Sequence, residues 1–273
     1  MIAPVRQVLR GLGRRTKVLG GAYLAVGAIH LASRLVDGGA AVAGISQILL
    51  MPALGAAFGS AIADLAPVRR RTVALMTAGL AASWAGDTIP RFVTGDAAFL
   101  GMVSGFLVAQ ACYLAAFAPY AAKAWRRRPA PVLAAGAVFG AGFGALTVWC
   151  LPEAGFLGGP VVGYGLLLAA MAAASTTVNR ATAVGGALFF VSDAMIALNT
   201  FSPGYYFGGH HLAVMSTYIA AQALLAAGIV TDLAAADRPD RARPAEPRAT
   251  DPATEPAADP SADPATEPAA VAD

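Results

Sequence analysis

Apolar residues run through this chain in long blocks, separated by short stretches rich in Arg, Lys, Gly and Pro. The blocks fall at about 18–36, 39–62, 72–91, 97–119, 129–150, 158–178, 181–201 and 208–231. Most hold the roughly 20 residues that an α-helix needs to cross about 30 Å of hydrocarbon. The predicted fold is therefore all-α, a polytopic membrane bundle of eight transmembrane helices over residues 18–231.

The charges between the blocks give an independent reading of the same pattern. Alternate loops hold Arg69, Arg70 and Arg71, then Lys123, Arg126, Arg127 and Arg128, then Arg180. The segment 1–17 adds Arg6, Arg10, Arg14, Arg15 and Lys17, and further arginines follow 231. The loops on the opposite side keep only Arg34 and Arg91. Lys and Arg gather on cytoplasmic loops, so both termini are expected in the cytoplasm. The basic start and first apolar run have the profile of a signal peptide. No Ala-x-Ala-like site followed by a soluble domain is present, so the run reads as the first span. The expected location is the cell membrane, as a multi-pass protein.

Composition sharpens the class. Of 273 residues, 57% are hydrophobic and only 13% charged, against roughly 25% charged in soluble domains. The net charge of +3 gives no nucleic-acid footprint, because the basic residues sit beside apolar spans. Cys112 and Cys150 fall inside or at the edge of spans and read as small buried hydrophobes. Gly136, Gly140 and Gly144 form a small-xxx-small ladder on the fifth span. Such a ladder suits close packing, most often within the bundle, while leaving a homodimer open. Beyond 231 the character changes: Asp-Pro-Ala-Thr-Glu-Pro-Ala-Ala occurs at 251–258 and again at 263–270. A Pro-Ala-acid tract lacks the apolar surface to offset chain entropy, so residues 232–273 are expected to form a disordered cytoplasmic tail.

Against this apolar background two acids stand out. Asp193 interrupts the seventh block, 181–201, about 12 residues in from Ala181 and so ~18 Å deep. Asp87 lies on the third block, about 15 residues from Thr72 and so ~22 Å deep. An ionisable group at the bilayer centre costs roughly 2.5–3.5 kcal/mol or more, and it usually faces a protein interior or wet cavity where it functions. Matching depth lets the pair face one cavity if the third and seventh helices are neighbours. The blander readings are an interfacial Asp87 and a structural Asp193 capped by Ser192, Asn199 or another hydroxyl. Gln47, Gln110, Tyr113, Tyr218 and Gln222 add hydrogen-bonding groups at membrane depth. With Ser192 and Asn199 they are the candidate substrate-binding residues. His30, His210 and His211 lack metal-ligand spacing, and Lys17 and Lys123 lie at the cytoplasmic edge, too shallow for a retinal-type Schiff base. No metal and no cofactor is expected.

Several of these segments share a family pattern. Ala85-Gly86-Asp87, Phe106 to Phe117 with Gln110 and Tyr113, Gly186 to Asp193 with Ser192, and Tyr218 to Gln222 resemble the YhhN-like family of eight-span membrane proteins, which includes the lysoplasmalogenases. The resemblance covers about 18–231. It implies hydrolysis of the vinyl ether bond of a lysophospholipid substrate, giving a fatty aldehyde and a glycerophospho-alcohol, with Asp87 and Asp193 as the two functional acids. The family often has Lys-Pro where this chain has Gln47-Ile48, and His where it has Gln110. Substrate choice can differ accordingly.

Two carboxyls suit that chemistry on their own terms. Vinyl ether cleavage protonates the β-carbon and leaves an oxocarbenium ion for water to attack. One carboxyl delivers the proton while the other stabilises the cation and activates water. The rival readings are a proton-coupled transporter of an amphiphile and a non-catalytic protein that binds membrane lipids. Neither a repeat nor paired broken helices support the transporter, and a lipid-binding scaffold leaves the two acids unexplained.

Overall fold

The structure, a computed structural model, describes residues 11–65 and 69–241. Arg6, Arg10 and the Pro-Ala-acid repeats lie outside the described residues. Among the described residues the regular structure is helical, without strands. The long helices are α1 (Arg14–Ser33), α2 (Ala40–Ala63), α3 (Arg70–Thr88), α4 (Asp96–Arg127), α5 (Pro129–Ala154), α6 (Gly158–Ser175), α7 (Arg180–Phe201) and α8 (His210–Arg241).

The helices follow the apolar blocks, with informative differences at their ends. The third apolar block extends to 91, but α3 stops at Thr88 and a 3₁₀ turn, Ile89–Arg91, follows with Pro90 inside it. Pro90 lacks the N–H that would bond back to the Gly86 carbonyl, which favours the tighter turn here, although Pro52 and Pro119 sit within helices that continue past the same loss. The fourth apolar block ends at 119, yet α4 runs through Pro119 to Arg127. The last helix runs to Arg241, so the first ten residues of the segment 232–273, expected to be disordered, are helical. Five stretches are long and apolar enough to cross a membrane: Ala40–Ala63, Asp96–Arg127, Pro129–Ser175, Arg180–Phe201 and His210–Ala236. The third of these contains both α5 and α6. Neither α1 nor α3 is among them, since Lys17 and His30 dilute the first, and Arg70, Arg71 and Asp87 the other.

The core forms around α8, the most buried of the candidate spans. Leu225 and Ile229 on α8 join Leu50, Met76, Tyr113, Phe117 and Phe189 in one apolar cluster. Two close approaches set the geometry around the later site. A Cβ on Gly105 would lie 2.5 Å from the Gly86 nitrogen, so α3 and α4 cross backbone to backbone there. A Cβ on Gly186 would lie 2.1 Å from Ser175 Oγ, and one on Gly185 3.0 Å from the Ala221 carbonyl. Small residues thus seat α7 tightly between α6 and α8.

Each helix must also satisfy its backbone in an apolar medium. Pro52 leaves the Ile48 carbonyl without its usual helical donor, and Trp84 Nε1 donates to it at 3.1 Å. Asn179 caps α7 by accepting from the backbone of Ala181 and Thr182, while its amide donates to the Gly228 carbonyl at 2.8 Å. That cap therefore fixes both the start of α7 and its docking on α8.

The glycine ladder corrects the expectation of packing within the bundle. Among the described residues nothing lies within 4 Å of a Cβ placed on Gly136, Gly140 or Gly144. The α5 face that carries them points away from the other helices. Its exposed neighbours Leu133, Val138 and Val148 are as apolar as lipid-facing residues must be.

Candidate functional site

Asp87 ends up near the C-terminal end of α3, and Asp193 in the middle of α7. Both are buried, at 5% and 7% exposure, and Asp87 lies one residue before the end of α3. They line one polar cavity of about 270 Å³, together with Gln47, Arg91, Ser192 and Tyr218. The helices that carry them do the positioning. The Gly86–Gly105 crossing brings the adjacent Asp87 close to α4, while the Asn179 cap and the glycine pair hold α7 in place.

Each carboxylate is bound by side chains from helices distant in sequence. Asp87 Oδ1 accepts from Gln47 Nε2 at 3.2 Å, and its Oδ2 accepts from the Tyr218 hydroxyl at 2.7 Å. Asp193 Oδ2 accepts from Gln110 Nε2 at 3.0 Å and from the Tyr164 hydroxyl at 2.5 Å. Arg91, in the turn after α3, donates through Nη2 to Gln47 Oε1. Buried polar groups demand partners, and these bonds supply most of them. Gln110 Oε1 remains buried without one.

Behind this layer stands a second network. Tyr113 donates to Gln222 Oε1 at 2.8 Å, and Gln222 Nε2 donates to Ser83 Oγ at 2.9 Å and, more weakly, to Tyr218 at 3.4 Å. Tyr113 and Gln222 line neither the polar cavity nor the slot beside it, so they support Tyr218 from behind. Three aromatic rings, Phe106, Phe189 and Tyr218, meet edge to face and brace the hydroxyl that reaches Asp87.

A narrow apolar slot opens beside the polar cavity, walled by Phe99, Phe143, Leu146, Leu168, Phe190 and Phe201. Met102, Phe106, Ile196 and Asp193 belong to both. Asp193 is thus the carboxyl at the junction, whereas Asp87 faces the polar side alone. The arrangement accommodates an amphiphile whose polar and apolar parts separate near Asp193.

Of the residues singled out from sequence, Gln47, Gln110 and Tyr218 bind the aspartates directly. Ser192 lines the polar cavity, but its hydroxyl donates to the Val214 carbonyl at 3.1 Å rather than capping Asp193. Asn199 is exposed and lines neither cavity. It lies nearly two helical turns beyond Asp193, towards the end of α7. Two members of the site escaped the sequence reading. Tyr164 is an isolated tyrosine between glycines in an otherwise apolar helix, and Arg91 read only as a loop charge. Among the described residues no three His, Cys, Asp or Glu side chains gather to hold a metal ion.

Long apolar helices wrapped around paired buried carboxylates define a helical integral membrane protein. The chain belongs to the YhhN family, whose family model matches residues 42–229, a range that contains both aspartates. Neither the curated proteins nor the solved structures yielded a match.

Proposed function

We propose that this protein is a membrane-embedded hydrolase that cleaves the vinyl ether bond of a 1-alkenyl lysophospholipid, releasing a fatty aldehyde and a glycerophospho-alcohol. Asp87 and Asp193 supply the acid–base chemistry. The observation that carries the reading is their shared cavity, with Asp193 also lining an apolar slot. Protonation of the vinyl carbon and activation of water call for two carboxyls on one substrate. A single-chain amphiphile with its tail in the slot and its headgroup in the polar cavity brings the ether to that junction. Family membership supports the same reading.

The proposal extends to the setting: eight spans, both termini cytoplasmic, in the cell membrane. The loop charges support it, since Arg34 and Arg91 stand alone between spans on the side opposite the arginine-rich loops.

The test is direct. Purified protein incubated with a panel of alkenyl, alkyl and acyl lysolipids should release aldehyde, read by mass spectrometry, from the alkenyl members only. Proton-linked movement of lysolipid across a liposome membrane without aldehyde would replace the hydrolase with a transporter.

A further inference from the structure

The two aspartates are held in different ways: Asp87 accepts a bond on each oxygen, whereas Asp193 accepts two on one oxygen. Arg91 has donors and no acceptor, so the Gln47 oxygen must face it and the Gln47 amino group must face Asp87. Asp87 Oδ1 is therefore an acceptor. The same logic fixes the other oxygen. The Gln222 oxygen takes the Tyr113 proton, so its amino group faces Ser83 and Tyr218, and the Tyr218 hydrogen is left for Asp87 Oδ2. Both oxygens of Asp87 accept, as an ionised carboxylate does.

Asp193 differs at each point. Its Oδ2 takes both donors, from Gln110 and Tyr164. Its Oδ1 has no partner among the described residues. Neither aspartate forms a direct ion pair, the one found among the described residues being Arg69–Asp232, but only Asp87 is linked to an arginine through a bridging amide. A proton on Oδ1 leaves every one of these bonds intact. Asp193 is also the carboxyl that touches the apolar slot. In R–CH=CH–O–R′ the carbon that takes a proton lies on the hydrocarbon side, and the carbon that takes water carries the oxygen.

We infer that Arg91, acting through Gln47, is a positioning residue that keeps Asp87 as the ionised base, and that Asp193 is the acid that protonates the chain-side vinyl carbon. The inference rests on the vinyl ether reading of the site.

The step balances as follows. The Asp193 Oδ1–H bond breaks as the alkene π pair takes the proton, leaving an oxocarbenium ion and an Asp193 carboxylate. Water adds to the oxygen-bearing carbon and gives its proton to Asp87, forming a hemiacetal. The hemiacetal hydroxyl then returns a proton to Asp193 as the carbon–oxygen bond to the glycerol breaks. The departing oxygen takes the proton from Asp87. Both carboxyls end as they began.

The experiment uses the full chain in detergent, a 1-alkenyl-glycerophosphoethanolamine probe and D₂O, with product and recovered substrate analysed by mass spectrometry. Wild-type protein should release aldehyde with one deuterium on the carbon next to the carbonyl. Asp87→Asn should lose at least about a hundredfold in turnover. The recovered substrate should nevertheless gain deuterium at the vinyl carbon, because the acid still protonates it reversibly. Asp193→Asn should give neither aldehyde nor exchange, and Asp193→Glu should regain exchange, which separates lost chemistry from lost folding. Arg91→Leu should cut turnover roughly tenfold, as loss of a charge-assisted bond predicts, with exchange kept. Arg91→Lys should recover much of the loss. Exchange that survives in Asp193→Asn, or that is absent from Asp87→Asn, overturns the assignment while leaving the hydrolase reading intact. Wild-type protein that releases no aldehyde overturns both.

Discussion

Tyr164 on α6 donates its hydroxyl to Asp193 Oδ2 at 2.5 Å, the same oxygen that takes the Gln110 amide. An apolar helix thus contributes one polar group to the site and aims it at a buried acid. Tyr164→Phe keeps the ring in the wall of the slot and removes this bond alone. A lost hydrogen bond to a buried partner is worth about 1–3 kcal/mol. Aldehyde release should fall roughly tenfold, and the thermal midpoint should drop by several degrees. Full activity would mean that Gln110 alone suffices to orient Asp193.

The two carboxyls should behave as a unit. Asp87→Asn and Asp193→Asn should each reduce aldehyde release by about 10²–10⁴-fold, and the double variant should be little worse than either single. Steady-state kinetics on the three variants checks this. Multiplying defects would assign the two groups to independent steps, and a pure rise in KM would assign them to binding.

Packing gives a contrast between two glycines. At Gly105 a new methyl would press on the Gly86 backbone at 2.5–2.6 Å, which no rotamer change can relieve. Gly105→Ala should destabilise the bundle by about 1–3 kcal/mol and shift Asp87, lowering thermal midpoint and turnover together. Gly140→Ala meets nothing within 4 Å and should leave both unchanged. A severe defect in Gly140→Ala would reveal a partner on the open face of α5.

Topology is open to labelling. With Cys112 and Cys150 replaced, a cysteine at Gly209, in the loop before α8, should react with an impermeant thiol reagent in intact cells. One at Ala124, near the basic end of α4, should stay unlabelled until the cells are permeabilised. The reverse pattern would invert the proposed topology.

The chain alone determined that apolar helices of membrane-spanning length would form, and it marked Asp87 and Asp193. Both conclusions rest on local physics. A block of about 20 apolar residues has few alternatives to a spanning helix, and an acid inside one is costly enough to stand out. Direction along a helix was less legible. A membrane helix is apolar on its lipid side as well as its core side, so the α5 glycines gave no sign of which way they pointed. Asn199 has the right chemistry on the right helix, but its place towards the end of α7 leaves it exposed.

The partners of the acids belonged to the tertiary structure. Tyr218 reaches Asp87 across 131 residues of chain, Gln110 reaches Asp193 across 83, and Arg91 meets Gln47 across 44. No period or local motif encodes such meetings. They depend on which helices cross and at what depth, and glycine contacts such as Gly86–Gly105 and Gly186–Ser175 decide that only once the bundle has assembled. For the same reason the apolar slot beside Asp193 could not be read from the chain: its walls are ordinary core residues until α4, α5, α6 and α7 close around a common space.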